Sequence, residues 1–249
     1  MDRINITIVT VCYNSEDTIK DTLESVLKQS YLPCEYIIVD GKSTDRTLSI
    51  LEEYIIQFEA KGIKFKIVSE SDNGIYDAMN KGVRLASGDV VGILNSDDWY
   101  DFNALKIIND NYENNKLQIY YGSIRIWKKG KEYMTRQHHH NYLEENVIQH
   151  PTCFVPKYIY DKYGVYDEKL KIVADYEFLN RLKILGVQFK SIDKIITNFR
   201  FGGASDKWML KGALEKNYVK YKFNFITYKR YNFEKAKIQL AYYLKKIFL

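Results

Sequence analysis

Short apolar runs alternate with helical patterns through the first hundred residues. Ile4–Val11 is dense in β-branched side chains and predicts a buried strand. Ser15 to Asp17 supply helix-capping groups, and Ile19, Leu23, Val26 and Leu27 follow helical spacing up to Lys28. Tyr36–Asp40 predicts a second strand. Ser43 or Asp45 then opens a helix whose apolar face includes Leu48, Leu51, Ile55 and Phe58. Phe65–Val68 predicts a third strand, Ile75–Ala86 a third helix and Val90–Leu94 a fourth strand. Strands separated by helices of this length imply βαβ units and a parallel sheet with right-handed crossovers.

The order loosens after Asn95. A helix is expected from Asn103 to about Glu113, and Ile119–Trp127 with Tyr133–Arg136 suggest a hairpin around Lys128-Lys129-Gly130-Lys131. Pro156–Tyr163 and Asp175–Leu185 read as helices, Thr152–Val155, Val187–Ser191 and Ile195–Phe201 as short strands. From Asp206 the chain reads as helical and amphipathic. No internal repeat or disordered linker interrupts it, so the expectation is one α/β domain over residues 1–205 and a helical extension over 206–249.

Composition narrows the class. With 46% hydrophobic residues in 249, the chain can bury a core, which excludes a disordered protein. Cys12, Cys34 and Cys153 are odd in number and widely spaced, which excludes a disulfide scaffold or a zinc ribbon. The net charge of +5 is lopsided: residues 206–249 hold 11 Lys/Arg against 3 Asp/Glu, leaving 26 basic and 29 acidic groups in residues 1–205. A nucleic-acid-binding body would carry the positive field itself, so no nucleic-acid partner is expected. No signal-peptide pattern opens the sequence and no stretch reaches 18 uncharged apolar residues, so a cytoplasmic chain is expected.

Ligands of open parallel sheets bind at the carboxyl ends of the strands. Those ends here deliver Tyr13, Asn14 and Ser15, then Asp40, Gly41 and Ser43, then Glu70 to Gly74, then Asn95-Ser96-Asp97-Asp98. Carboxylates converging there suit a divalent cation, with manganese or magnesium selected by hard oxygen ligands, or the base and hydroxyls of a nucleotide. The plain alternatives are turn chemistry: Asp98 capping the next helix, Asp97 in a turn, Asp40-Gly41 as a turn pair, and Asp175 as an N-cap. Gly88 reads as a helix C-cap, whereas Gly82 lies inside a helix and implies close approach by a ligand or a neighbouring element. His138-His139-His140 reads as a polar loop. No G-x-G-x-x-G follows the first strand, no P-loop or nucleophile elbow is present, and no Gly-rich, Arg-bearing loop supports a nucleotidylyltransferase.

The segments Ile8–Asn14, Tyr36–Asp45, Asn80-Lys81-Gly82 with Ala86–Asp89, and Leu94–Asp98 occur in one order and resemble the family 2 glycosyltransferases. The resemblance continues through His150-Pro151 and Asp175, and Asp72–Gly82 is similar to members that build bacterial surface polysaccharides such as O-antigen or capsule. It implies the GT-A fold, a Rossmann-like, mostly parallel nucleotide-binding sheet. Residues 1–100 would form the nucleotide-sugar half and 101–205 the acceptor half. Thr10, Val11 and Tyr13 would line the base pocket, and Asp40 would accept a hydrogen bond from the base, typically uracil. Asn80, Lys81, Asn95, Ser96 and Asp97 would contact the donor, and Asp97 and Asp98 the metal. Arg200 with Gly202–Ser205 would close over the phosphates. Asp175 matches the catalytic base of an inverting displacement, with Glu177 the substitute if the register differs. His150 and Trp127 mark the acceptor side. Asn95, Ala174 and Met79 depart from the family pattern of D-x-D, Glu-Asp and Arg, leaving Lys81 or Arg84 as the phosphate partner.

The resemblance thus implies transfer from a nucleotide-diphosphate sugar, a UDP-sugar, to a glycan acceptor linked to a lipid diphosphate. A non-catalytic sugar-nucleotide or membrane-binding module is the alternative. Lys/Arg interleaved with 11 aromatic residues in residues 206–249 suits the surface of an anionic bilayer. A helical pair packed on the domain or on a dimer partner would explain the same pattern.

Overall fold

The computed structural model describes residues 3–202 and 209–248. Four strands form its first half: β1 (Ile6–Cys12), β2 (Glu35–Asp40), β3 (Lys64–Ser69) and β4 (Val90–Asn95). β1 lies between β2 and β4, β3 pairs with the outer side of β2, and all these pairings are parallel, as the βαβ pattern predicts. Every residue of β1 and β2 is buried, because helices cover both faces of the sheet. β3 is the edge, and its exposed Lys64 and Lys66 discourage pairing with another chain.

The remaining strands are β5 (Trp99–Tyr100), β6 (Gln118–Lys128), β7 (Lys131–Arg136), β8 (Cys153–Pro156) and β9 (Gln188–Arg200). Among the described residues one sheet runs β3-β2-β1-β4-β8-β6-β9-β5, with β7 on β6. The second half is mixed: β8 is antiparallel to β4 and β6, β9 is parallel to β6, and β5 is antiparallel to β9. The expected hairpin is present. Lys128 pairs with Lys131, and Lys129 (φ 52) and Gly130 (φ 74) are both left-handed, the requirement of a two-residue primed turn. The two strand candidates near residues 187–201 are one strand whose register shifts opposite Gly122. A Cβ on Gly122 would lie 2.5 Å from Ile196 Cγ1 and 2.6 Å from the Lys194 carbonyl, so the bulge needs glycine.

The helices of the body are α1 (Ile19–Leu27), α2 (Thr47–Glu53), α3 (Ile55–Ala60), α4 (Ile75–Leu85), α5 (Ala104–Asn111), α6 (Lys157–Tyr163) and α7 (Ala174–Ile184). The single helix expected around Leu48–Phe58 is broken at Tyr54 into α2 and α3. Strand alternation divides the core. Val9, Val11, Ile37, Val39, Val91 and Ile93 pack on the side of α4 and α7. Ile6, Ile8, Tyr36, Ile38, Val90 and Leu94 pack on the side of α1 and α5. Gly82 is the place where α4 meets the sheet, since a Cβ there would lie 2.2 Å from Val9 Cγ1. Gly88 is no C-cap: α4 ends at Leu85, and a Cβ on Gly88 would lie 2.7 Å from the Asn5 carbonyl, so close backbone approach is its reason too.

Two further helices follow, α8 (Met209–Lys222) and α9 (Tyr228–Phe248). The boundary expected at 205/206 lies outside the described residues, as do Gly203–Ser205. α8 is built into the body: Val219 joins the core, Glu215 accepts from the Lys171 and Ile172 amides, and Lys222 pairs with Glu177. α9 rests on α8 through Tyr231, which stacks on Tyr221 and accepts at its carbonyl from Asn217.

Candidate active site at the strand ends

The ends of β1, β2 and β4 are tied into one rim. Ser15 Oγ lies 2.8 Å from Ser96 Oγ, joining the loops after β1 and β4. Asn14 is held left-handed (φ 48), its amide donates to Ser43 Oγ at 2.8 Å, and its side-chain oxygen accepts from the Thr44 amide at 2.8 Å. Asp40 organises the loop after β2. Its carboxylate is fully buried and accepts from the Ser43 amide, the Ser43 hydroxyl and the Ser69 hydroxyl. In this state it fixes the rim and does not present an open acceptor.

Of the three residues expected around a base, only Tyr13 stands in the open, with 62% of its surface exposed. Val11 belongs to the core, and Thr10 is buried with its hydroxyl 3.0 Å from Tyr36 Oη. Tyr13, Gly41 and Asp72 meet at close range: a Cβ on Gly41 would touch Asp72 Oδ2 at 2.6 Å and Tyr13 Cδ2 at 3.4 Å. The missing side chain at Gly41 is what lets the Asp72 carboxylate and the Tyr13 ring approach this backbone so closely.

Asn80 and Lys81 do different work from that expected. Asn80 is fully buried; its Nδ2 donates to the Tyr166 carbonyl and Glu168, and its Oδ1 accepts from the Tyr166 amide. Its amide is therefore fully engaged in fastening α4 to the segment before α7. Lys81 Nζ donates to the Ser71 carbonyl at 2.9 Å and pairs with Glu70 at 3.0 Å, which shapes the loop after β3. Arg84 points to Glu168 at 3.7 Å, and Met79 is a core residue.

The Asn95–Asp98 turn separates its two carboxylates. Asp98 is fully buried, accepting at Oδ1 from the Arg200 amide (3.1 Å) and at Oδ2 from Asn95 Nδ2 (3.2 Å). Burial, with the neighbouring Asp97 charge, pushes its carboxyl well above the usual carboxylate range. It caps no helix, because α5 begins at Ala104 behind Asn103. Asp97 stays part-exposed. Burial raises its carboxyl too, while Arg200 and His150 pull the other way. Arg200, at the end of β9, donates from Nε to the Asp97 carbonyl at 3.2 Å and pairs with Asp21 at 2.6 Å. Its guanidinium lies 5.1 Å from the centre of the Trp99 ring.

His150 links this turn to Asp175 although 55 and 25 residues separate them. Its Nε2 is 3.4 Å from Asn95 Oδ1, and its Nδ1 is 3.5 Å from Asp175 Oδ2. Asp175 is the second residue of α7 and not its N-cap, which is Val173. Its Oδ1 lies 3.0 Å from Tyr76 Oη, a buried hydroxyl that is also 2.8 Å from the Ile172 carbonyl and can donate its one proton to either. Tyr76 lies within the Asp72–Gly82 match, but nothing in that segment shows its contact with Asp175. Glu177, the substitute base, is 1% exposed and bound between Arg181 and Lys222. Trp127 lies apart from Asp175, its indole N–H donating to Asn198 Oδ1 at 2.9 Å.

Among the described residues no three His, Cys, Asp or Glu side chains converge to hold a metal ion by themselves. The part-exposed Asp97 carboxylate nevertheless suits a magnesium-type ion. Such ions take one or two carboxylates and complete their shell with water and ligand phosphates. Of the two neighbouring carboxylates, Asp97 is the one open to such an ion, whereas Asp98 is turned inward.

Solved structures share this fold. The solved structure of S. aureus TarS 1-349 in complex with UDP-GlcNAc superposes with a TM-score of 0.65 at 17% identity, over 95% of this chain and 72% of that one. The mannosyltransferase PcManGT from Pyrobaculum calidifontis, in complex with GDP-Man and Mn2+, gives 0.66 at 18%, over 97% and 71%. These likenesses establish the GT-A fold. By sequence, the chain is 36% identical over 126 residues to a poly-beta-1,6-N-acetyl-D-glucosamine synthase of Staphylococcus epidermidis, covering 50% of this chain and 29% of the relative. It is 31% identical over 126 residues to the UDP-Glc:alpha-D-GlcNAc-diphosphoundecaprenol beta-1,3-glucosyltransferase of Escherichia coli, covering 51% and 48%. The chain thus spans about half or less of the length of these two relatives. The profile of the family described as Glycosyl transferase family 2 matches residues 7–185, and the chain belongs to that family.

Proposed function

We propose that the protein is an inverting glycosyltransferase that moves a sugar from a UDP-sugar to a hydroxyl of a lipid-diphosphate-linked glycan in surface-polysaccharide synthesis. The observation that carries this reading is the short path from Asn95 through His150 to Asp175, which sets a carboxylate on a rigid helix start beside the strand-end rim. Asp175 takes the proton of the acceptor hydroxyl as that oxygen bonds to the anomeric carbon. The bond from that carbon to the diphosphate oxygen breaks, its electron pair leaving with the nucleotide. Tyr76 and His150 hold the two carboxylate oxygens in place. Asp97 would hold a manganese or magnesium ion, which when bound offsets charge on the leaving diphosphate. Arg200 stands at the same rim as a fixed cation.

The full chain incubated with UDP-glucose, UDP-N-acetylglucosamine or UDP-galactose and Mn2+ is expected to release UDP slowly from one of them. EDTA should stop the release and a lipid-diphosphate-sugar acceptor should accelerate it. Absence of metal-dependent release from all three donors refutes the proposal.

The same reading places α9 on an anionic membrane surface. Residues 228–248 contain six Lys/Arg and one Glu, and Tyr228, Phe233, Leu240 and Tyr243 are each at least 60% exposed. No described helix is long and apolar enough to cross a membrane. Each basic group near an anionic leaflet contributes about 1 kcal/mol. The full chain should therefore float with phosphatidylglycerol vesicles, separate from them in high salt, and ignore phosphatidylcholine vesicles. Equal behaviour with both lipids would count against the membrane role.

A further inference from the structure

A cleft opens on the α1 side of the β4 end, across the sheet from α7 and Asp175. It has a volume of about 510 Å3, within the range of roughly 300–1,000 Å3 typical of small-ligand sites. Trp99, the residue directly after Asp98, and Trp127 form its floor, with ring centres 5.8 Å apart and planes inclined at 45°. That separation leaves no space for a ring between them, so the pair presents a single angled aromatic surface. Phe102, 61% exposed, stands at the rim.

The surface is held in place from behind. Asn198 is 3% exposed, and its Oδ1 accepts from Trp127 Nε1 at 2.9 Å and from Arg125 at 3.4 Å. Arg125 is further braced by Asp101 at 3.6 Å and, through its Nε, by Glu132 at 3.4 Å. An oriented pair of indoles, a guanidinium and carboxylates along one cleft match one kind of ligand. A pyranose offers an apolar C–H face for stacking and hydroxyls that both donate and accept. The charges argue against a phosphate: Asp21, Glu24 and Asp101 outnumber Lys28 and Arg125.

We infer that this cleft binds a sugar ring of the glycan, remote from the unit that carries the reacting hydroxyl. The inference rests on the glycosyltransferase reading. Arg200 joins the two places, touching the Asp97 carbonyl on one side and the Trp99 ring on the other. A bound glycan would thereby press on the donor rim, so longer acceptors would be held more firmly than single sugars.

The test uses the full chain carrying W208F, so that Trp99 and Trp127 are the remaining tryptophans. Cellotetraose, chitotetraose and laminaritetraose are titrated without donor while tryptophan emission is followed, and UDP binding is measured by calorimetry on the same sample. At least one glycan should give a saturable emission change. Trp127→Leu and Arg125→Ala should each weaken its binding about tenfold. Phe102→Ala, at an exposed rim position that tolerates truncation, should weaken it without lowering the melting temperature. UDP binding with no response to any of the three glycans overturns the cleft and leaves the donor reading standing. Glycan binding without UDP binding does the reverse. Glycan binding untouched by all three substitutions places the sugar elsewhere and also overturns the inference.

Discussion

Asp175→Asn is expected to lower sugar transfer by roughly 10²- to 10⁴-fold, the usual contribution of a positioned general base. The amide has the shape of the carboxylate and can still accept from Tyr76 Oη, 3.0 Å away, so α7 keeps its start. What it loses is the ability to take a proton. The fall should therefore appear in kcat with the acceptor, while UDP affinity measured by calorimetry stays close to that of the parent protein. Glu177→Gln is the informative comparison two residues on. Glu177 lies between Arg181 and Lys222 at 1% exposure, so its loss should lower the melting temperature and leave the per-molecule rate of the folded enzyme near normal. Turnover of Asp175→Asn within about threefold of the parent would remove Asp175 from the chemistry. If Glu177→Gln instead carried the large kcat loss in a fully folded sample, the register of the site would have to be redrawn.

How far the sequence displays this arrangement depends on the distance over which each feature is decided. β1, β2 and β4 are legible because a strand covered on both faces needs an unbroken β-branched run. The β6–β7 turn is legible because Lys129-Gly130 sits where a primed turn needs positive φ. β5 is only Trp99–Tyr100 and exists through its pairing with Thr197 and Asn198, so two residues of pattern could not announce it. Polar Asp193 and Lys194 divide what is one strand, because the bulge that absorbs them is set by Gly122 some 70 positions earlier.

The candidate site follows the same rule. That Tyr13, Asp40 and Asn95–Asp98 gather at one sheet edge follows from strand order, and Asp175 and His150 from the family resemblance. Which way each side chain turns does not follow. Thr10, Asn80 and Asp98 face inward because Tyr36, Tyr166 and the Arg200 amide, all distant in the chain, supply their hydrogen bonds. Tyr76 and Asn198 matter through contacts nearly a hundred and about seventy residues away; the Asp72–Gly82 match contains Tyr76 without showing that contact, and no motif marks Asn198.

Asp97→Asn should separate the two neighbouring carboxylates by function. Asp97 is the part-exposed member, and losing its charge removes the one accessible anionic ligand for a divalent cation at this turn. Donor turnover should fall by about 10²- to 10³-fold, the loss typical when one group stabilising developing charge is removed. The Mn2+ concentration giving half-maximal rate should rise at least about tenfold in parallel. The melting temperature should hardly move, since no buried hydrogen bond is broken. Asp98→Ala should behave in the opposite sense. It leaves the Arg200 amide and Asn95 Nδ2 without their acceptor in a fully buried place, a loss of about 1–3 kcal/mol for an unsatisfied polar group. The damage should register first as a lower melting temperature, with Arg200 and the β9 end loosened and the Mn2+ dependence of the surviving folded enzyme unchanged. A manganese titration and a thermal melt on each variant check both expectations. An unaltered Mn2+ curve in Asp97→Asn, or a shifted one in Asp98→Ala at full stability, would transfer the metal-binding role from the exposed carboxylate to the buried one.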